Sequence, residues 1–324
     1  MSYLQGVCLF FFPFLFSVLL LKPLIAFLKR RHVGQSILEI GPAWHKPKEG
    51  TPTMGGSVFL LTVPLFALVG NFVLEGSVSS TLLFVLLFAL ANGFIGLLDD
   101  ATKFKNKRNL GLLPWQKLVL QAFFLGAFFY LQLRFGDIAS PLFLPYTEIA
   151  ASWNLPILFV FFIASLGILN SVNLSDGIDG LTASSTLIIS LFFLFEGIFS
   201  SSAPLTALSL PLAGTMLAFL LFNRHPAKIF MGDTGSLFLG ALLVGGAHLT
   251  ENPLVLPIYT FLFLLEGGSV ILQVLVFKRT GKRLFRMAPI HHHLEKSGWS
   301  ENRVVLFFSL ITLIASLFAH FALL

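Results

Sequence analysis

Residues 81–100 read TLLFVLLFALANGFIGLLDD. Eighteen residues pass without a charge, and two adjacent carboxylates, Asp99 and Asp100, end the run. A helix needs about 20 mostly apolar residues to cross a hydrocarbon core, so this stretch reads as a membrane span with an acidic foot. The rest of the chain repeats the pattern. Of 324 residues, 56% are hydrophobic and only 11% charged, with 38 Phe among them; the mean hydropathy is +0.88. A soluble domain carries about 25% charged residues, so this chain has too little charge to coat a globular surface in water. An ordinary cytosolic enzyme and a disordered tail are excluded. A disulfide-built secreted domain is excluded too, because Cys8 is the only cysteine.

Ten stretches qualify as spans: residues 3–28, 54–73, 81–98, 117–133, 155–172, 183–199, 205–222, 236–249, 254–277 and 304–324. The eighth is short, which fits a tilted or partly re-entrant segment. Strand-type alternation is absent from these runs, which argues against a β-barrel. No basic stretch precedes the first span and no small-residue cleavage site follows it, so it reads as a retained helix and not a signal peptide. The expected fold class is all-α: a polytopic integral membrane protein of about ten transmembrane helices. With no internal repeat and no low-complexity linker, residues 1–324 are expected to form a single transmembrane domain.

Charge then sets the orientation. If all ten stretches cross, the loops after the odd-numbered spans share one side, and they hold 19 of the 21 Lys and Arg. The exceptions are Lys22, inside the first span, and Arg134, on the opposite side. The positive-inside rule makes the rich side cytoplasmic and puts both termini on the extracytoplasmic side. A net charge of +6 distributed in this way points to anionic lipid headgroups and not to nucleic acid. Asp99, Asp100, Asp176, Asp179, Asp233 and the run His291, His292, His293 fall on that same side. The chemistry is therefore expected to face the cytoplasm.

Four loops there carry polar constellations. Asp99 and Asp100 close the third span at what reads as a helix C-terminus, where the helix dipole disfavours negative charge unless a cation joins it. Lys103, Lys105, Lys107, Arg108 and Lys117 follow. The pair is either a metal- or base-bearing site or a solvated helix-end cluster. The loop NSVNLSDGIDGLTAS, residues 170–184, sets Asp176 and Asp179 three apart, each followed by a turn-permitting glycine, Gly177 and Gly180. With Asn170 and Asn173 just before and no Lys or Arg, it suits a nucleobase or sugar; the plainer reading is an Asx-rich turn. In FNRHPAKIFMGDTGS, residues 222–236, Asp233 is placed to cap a helix or to hold a metal beside helix amides and a phosphate. The last loop runs from Lys278 through five basic residues to His291–His293. Three consecutive histidines cannot share one helix face, so a compact three-His zinc site is not expected; phosphate hydrogen bonding or loop packing is.

Two further features stand out. Lys46 and Lys48 precede a Pro-Thr-Met-Gly-Gly turn, where Gly55 and Gly56 allow close helix packing. Glu266 lies inside the ninth span, and an intramembrane acid normally faces protein or a polar cavity. Carboxylates without thiolates select a hard cation, and Mg²⁺ is the expected one for phosphate chemistry. Phosphoryl transfer needs neutralised charge and an aligned nucleophile more than covalent help. The residues thus point to a Mg²⁺-dependent transferase joining a soluble anionic substrate to a lipid. There is no P-loop or GxGxxG, so nucleotide recognition falls to these loops. A transporter would place polar groups near mid-bilayer and commonly show repeat symmetry; Glu266 is the main candidate for the first, whereas the Asp and His groups cluster at one face. An intramembrane metalloprotease would need HExxH, which is absent.

Five segments occur in order: GTPTMGG from Gly50, GLLDD from Gly96, NLSDGIDGL from Asn173, FMGDTGS from Phe230 and APIHHHLEKSGW from Ala288. Together they resemble the phospho-N-acetylmuramoyl-pentapeptide-transferase (MraY) family, a branch of the polyprenyl-phosphate N-acetylhexosamine-1-phosphate transferases. The three-histidine segment resembles this branch more than the sister enzymes that use UDP-N-acetylglucosamine. The resemblance implies a multi-pass protein of the bacterial cytoplasmic (inner) membrane, working as a homodimer with Mg²⁺. It would transfer phospho-N-acetylmuramoyl-pentapeptide from UDP-N-acetylmuramoyl-pentapeptide to undecaprenyl phosphate, giving lipid I and UMP. Asp233 would bind the metal, and Asp99 and Asp100 would act as base or metal-adjacent carboxylates. Lys48, Thr53, Asn173, Asp176, Gly177, Asp179, Asn223 and Phe230 would shape the substrate site. Lys103, Lys107 and Lys117 match the family's basic positions after the acidic pair, and His291, His292 and His293 its substrate-side histidines. The lipid phosphate would attack either directly, with Asp99 taking its proton, or through a phospho-carboxylate intermediate. A phosphate is already an anionic nucleophile, which favours the direct route.

Overall fold

The computed structural model describes residues 2–31, 33, 34, 46, 48–106, 111–136 and 142–323. Lys107, one of the expected substrate-binding lysines, lies outside the described residues. Twelve helices follow in chain order: α1 (Tyr3–Arg30), α2 (Ser57–Glu75), α3 (Ser80–Asn106), α4 (Pro114–Phe135), α5 (Leu155–Ser175), α6 (Leu181–Phe199), α7 (Ala203–Asn223), α8 (Gly232–Ala247), α9 (Leu256–Tyr259), α10 (Phe261–Thr280), α11 (Ile290–Glu295) and α12 (Glu301–Phe321). Between α4 and α5 a two-residue antiparallel hairpin pairs β1 (Leu142–Phe143) with β2 (Ala150–Ala151). Nine of these helices are long and apolar enough to cross a membrane. The chain is a multi-pass, all-α membrane protein.

Local chemistry starts several helices where the apolar runs begin. The Ser2 hydroxyl accepts from the Gln5 N–H while the Gln5 side chain accepts from the Ser2 N–H, a reciprocal cap for α1. Asn154 caps α5 and Ser202 caps α7 through side-chain oxygens that accept from Ile157 and Leu205 N–H groups. Large apolar side chains such as Phe12, Leu19, Phe123, Phe159 and Leu306 point outward on α1, α4, α5 and α12. That is the inverse of a soluble surface and the expected lipid-facing shell.

The interior is built round α7 and α8. Every residue of α8 from Thr234 to Ala247 is buried. At 16 residues it is about 24 Å long, short of the roughly 30 Å hydrocarbon core. That fits the short, tilted or partly re-entrant eighth span expected, and its N-terminus lies inside the protein. Its neighbour α3 has 27 residues, about 40 Å, and runs well past it. This corrects one expectation: Asp99 and Asp100 do not end a helix, because α3 continues beyond them to Asn106. The stretch expected as the ninth span is also broken. A 3₁₀ turn at Pro253–Val255 and the short α9 precede α10. The far half of α10 leaves the body of the protein, with Ile271, Leu272, Val274, Leu275 and Phe277 exposed.

Close backbone approach sets the depth of α8. A Cβ at Gly56 would overlap the Gly235 backbone, and one at Gly96 would overlap the Asp233 carbonyl. The Gly55 and Gly56 N–H groups donate to the Phe230 and Met231 carbonyls, each at 2.9 Å. The expected tight packing at Gly55–Gly56 is thus against the α7–α8 loop and the first turn of α8. Gly56→Ala should lower the melting temperature of the detergent-solubilised protein, with a loss of about 1–3 kcal/mol typical of forced overpacking. An unchanged melting temperature would mean that the two segments have room to separate.

Candidate active site

Two helices meet at the foot of α8. Met231, at its N-cap, offers no side-chain cap. Asp100 supplies one from α3. Its Oδ1 accepts from the Asp233 N–H at 3.2 Å, and its Oδ2 from the Thr234 N–H at 3.0 Å and the Thr234 hydroxyl at 2.7 Å. A carboxylate at a helix N-terminus meets both the free amides and the favourable end of the dipole. Asp233 itself therefore sits in the first turn with its side chain released from capping. Gly232 precedes it at φ +71, where a side chain would be strained and would strike Asp100.

Asp99, Asp100 and Asp233 each offer an oxygen within 4.8 Å of the others. Two lysines close the cluster. Lys103 Nζ lies 2.6 Å from Asp99 Oδ2 and 3.0 Å from Asp233 Oδ2. Lys117, brought in by α4, lies 2.9 Å from Asp233 Oδ2 and 3.3 Å from Asp99 Oδ1. Asn173 on α5 donates to Asp233 Oδ1 at 2.9 Å and to the Ser236 hydroxyl at 2.7 Å. The Leu112 N–H donates to Asp99 Oδ1 at 2.7 Å. Asp99 is fully buried while the Asp233 side chain keeps 17% exposure, so Asp233 is the more open of the two carboxylates. Three carboxyl groups facing two ammonium groups form an oxygen donor set suited to a hard divalent cation.

The α5–α6 turn stands beside this cluster. Asp179 accepts from the Ala227 N–H at 3.0 Å and pairs with His225 Nδ1 at 2.9 Å, both on Oδ2. Its Oδ1 lies 2.8 Å from Lys48 Nζ, which also lies 2.7 Å from Glu301 Oε2 on α12. Asn223 joins the turn to the α7–α8 loop: its Oδ1 accepts from the Gly180 N–H at 3.0 Å and its Nδ2 donates to the Ile229 carbonyl at 2.9 Å. Half-buried Phe230 donates its N–H to the Pro52 carbonyl at 2.8 Å, and Thr53 lies against Gly232. Lys48, Thr53, Asn223 and Phe230 thus tie one loop to the next round the turn.

Asp176 caps the end of α5. Burial pushes its carboxyl well above the usual range, the charges of Asp233, Asp100 and Asp179 push the same way, and Lys48 opposes them. An acid raised in the folded state binds a proton more tightly there than in the unfolded chain, so ionising it as pH rises costs stability. Asp176→Asn removes that cost. The variant's melting temperature relative to the parent should climb as pH rises above the ordinary carboxylate range and converge at acid pH, where both are neutral. A difference that stays constant with pH would contradict it.

The three histidines go three ways. His291 turns inward to Glu266 and the Gly177 corner, His292 Nδ1 lies 2.7 Å from Glu295 Oε2, and His293 Nδ1 accepts from the Arg286 N–H at 3.1 Å. Of the three, only His291 is fully buried, against the Gly177 corner of the α5–α6 turn.

A model of glycosyl transferase family 4 matches residues 82–250, the stretch from α3 to the end of α8. A Carboxydothermus hydrogenoformans protein named phospho-N-acetylmuramoyl-pentapeptide-transferase is 41% identical over 314 residues, 93% of this chain and 94% of its own length. The chain belongs to the phospho-N-acetylmuramoyl-pentapeptide-transferase family. Proteins of the same name from Bacillus pumilus, 43% identical over 91% of this chain and 90% of theirs, and Clostridioides difficile, 38% over 92% and 91%, extend the likeness. As a member of this family the chain is a phosphoglycosyl transferase.

Within that family frame, sequence motifs led to the carboxylate cluster and the α5–α6 turn but missed residues that hold them. Glu301 stands in an unremarked Trp-Ser-Glu-Asn stretch and reads only as the acidic first turn of a helix. Thr234 and His225 lie in the 222–236 segment with no spacing that singles them out. Glu266 stands out by its place in apolar sequence, which gives no sign of its partner.

Proposed function

We propose that the chain transfers phospho-N-acetylmuramoyl-pentapeptide from its UDP carrier to undecaprenyl phosphate, releasing UMP and forming lipid I. The observation that carries this reading is the convergence of Asp99, Asp100 and Asp233 with Lys103, Lys117 and Asn173 beside the Asp176–Asp179 turn. That site offers anion-holding ammonium groups, a cation-holding carboxylate set and a polar turn, in a body whose other surface is lipid-facing. The relatives' names supply the donor; the membrane-spanning helices supply access to a lipid acceptor.

In this reading the diphosphate lies over Lys103 and Lys117, which neutralise its oxygens. Asp233, with Asp99 beside it, would hold Mg²⁺, which when bound spreads the developing charge of the phosphoryl group. Asp100 keeps the foot of α8 in place. Asp99 takes the proton of the lipid phosphate, whose oxygen attacks the donor's β-phosphorus; the bond to the α-phosphate oxygen breaks and UMP leaves. The Asp176–Asp179 turn, Asn223, Phe230, Thr53 and Lys48 seat the nucleotide. By its place in the sequence motif, Lys107 would supply a further positive charge for the substrate. We place the site on the cytoplasmic face of the bacterial inner membrane, with both termini opposite, and assign the whole chain to one catalytic domain acting as a homodimer.

The deciding experiment uses purified protein in detergent with lipid restored, undecaprenyl phosphate, and either UDP-N-acetylmuramoyl-pentapeptide or UDP-N-acetylglucosamine, with and without Mg²⁺. UMP and lipid product should appear with the muramoyl donor and Mg²⁺ only. Product from the acetylglucosamine donor alone would move the chain to the sister activity, and metal-independent turnover would overturn the assignment of Asp233.

A further inference from the structure

Glu266 lies on α10, a candidate membrane-spanning helix, and is fully buried. An acid in such a position is retained only with partners, and here both oxygens have the same one. Glu266 Oε2 lies 2.8 Å from His291 Nδ1, and Oε1 accepts from the His291 N–H at 3.2 Å. The carboxylate thus fixes the start of α11 and the angle of its first ring at once. A carboxylate only accepts, so Nδ1 must carry the proton. The other ring nitrogen, Nε2, is buried with no hydrogen-bond partner among the described residues. It faces Gly177, where any Cβ would overlap it. Packing holds the arrangement from the other side, since Ile290, Leu294 and Trp299 rest on Ile178, Leu181, Val304 and Phe308.

We propose that Glu266 is a positioning residue for the donor side of the reaction. Through His291 it sets the Asp176–Gly177 corner of the α5–α6 turn. Glu266 and Gly177 belong to different segments, and the His291 ring connects them. The carboxylate chooses the tautomer, the tautomer determines what Nε2 presents to the turn, and the turn carries Asp176 and Asp179. This rests on the reading of that turn as the seat of the nucleotide donor.

Glu266→Gln tests it with little change of volume. The amide oxygen still accepts from the His291 N–H, but its NH₂ donates toward Nδ1 and favours the opposite tautomer. The KM for the UDP-linked donor should rise by roughly 10- to 100-fold, the range for loss of a residue that orients a functional histidine. The KM for undecaprenyl phosphate should stay within about twofold, and Glu266→Asp should recover part of the loss. In a His291→Gln background, Glu266→Gln should add little, because coupled residues are non-additive. Nitrogen-15 NMR of the labelled full-length protein should show His291 protonated at Nδ1 and shifted toward Nε2 protonation in Glu266→Gln.

A parental-like ring signature in Glu266→Gln, equal losses for both substrates, or a full additional loss in the His291→Gln background would each overturn the proposal. The NMR arm needs no substrate. A chain that turned over only the acetylglucosamine donor would refute the proposed donor, and the same KM comparison would then be read on that donor.

Discussion

Replacing Asp233 with asparagine should lower Mg²⁺-dependent release of UMP by on the order of 10³-fold, as expected for losing an electrostatic group at the reacting phosphates. Asp100 has taken over the capping of α8, so Asp233 is not needed to hold the helix. Its Oδ2 instead faces Lys103 and Lys117, and its Oδ1 receives Asn173. Asparagine keeps an acceptor for Asn173 but turns an amide toward two ammonium groups and removes the charge that holds a cation. The melting temperature in detergent should change by far less than the activity. Near-parental turnover would refute the metal role, and a variant that fails only because it unfolds would make Asp233 a structural residue. Asp100→Ala should behave in the opposite way, losing stability first, because it strips three donors of their acceptor at a buried helix start.

Lys48→Ala carries the second large effect. Its ammonium lies between two acids, 2.8 Å from Asp179 and 2.7 Å from Glu301, with only 14% of the side chain exposed. Removing it leaves the Asp179 and Glu301 carboxylates facing each other beside the α5–α6 turn. Affinity for the UDP-linked donor should fall roughly 10- to 100-fold, the equivalent of about 1.5–3 kcal/mol for a hydrogen bond to a charged group. Stability should fall with it. Adding Glu301→Gln removes one of the stranded charges and separates the two contributions. If Lys48 meets the nucleotide, the double variant regains melting temperature but not affinity, as measured by isothermal titration with the UDP-linked donor. Recovery of both would make Lys48 a strut for the turn and nothing more.

Much of the candidate site was legible because its residues sit in short motifs at membrane boundaries. Asp99, Asp100, Asp176, Asp179 and Asp233 are conspicuous where hydrocarbon gives way to polar sequence. Their roles were less legible. Asp99–Asp100 looks like a helix end because the apolar run stops there, yet α3 continues through Lys103, whose spacing of one turn brings it back onto Asp99. Asp233 looks like a cap because a Thr-Gly-Ser run follows it. Only the presence of α3 alongside shows that the cap comes from another helix.

What the sequence determined by itself was the solvent and the class of fold. Apolar runs without charge demand hydrocarbon and intrasegment hydrogen bonding, and both are local properties that composition and length record. The motif residues were also present as a one-dimensional pattern. The tertiary structure alone decided the partnerships: Asp100 with Thr234, Lys48 with Glu301, and Glu266 with His291. Each joins residues on separate elements, and no hydrophobic period records which of two distant polar groups will meet. The depth of the site was decided in the same way. Glycine-to-backbone contact at Gly56, Gly96 and Gly235 lets this short helix begin inside the protein. A buried helix start must have its amides satisfied, and that requirement draws Asp100 to it and leaves Asp233 free for chemistry.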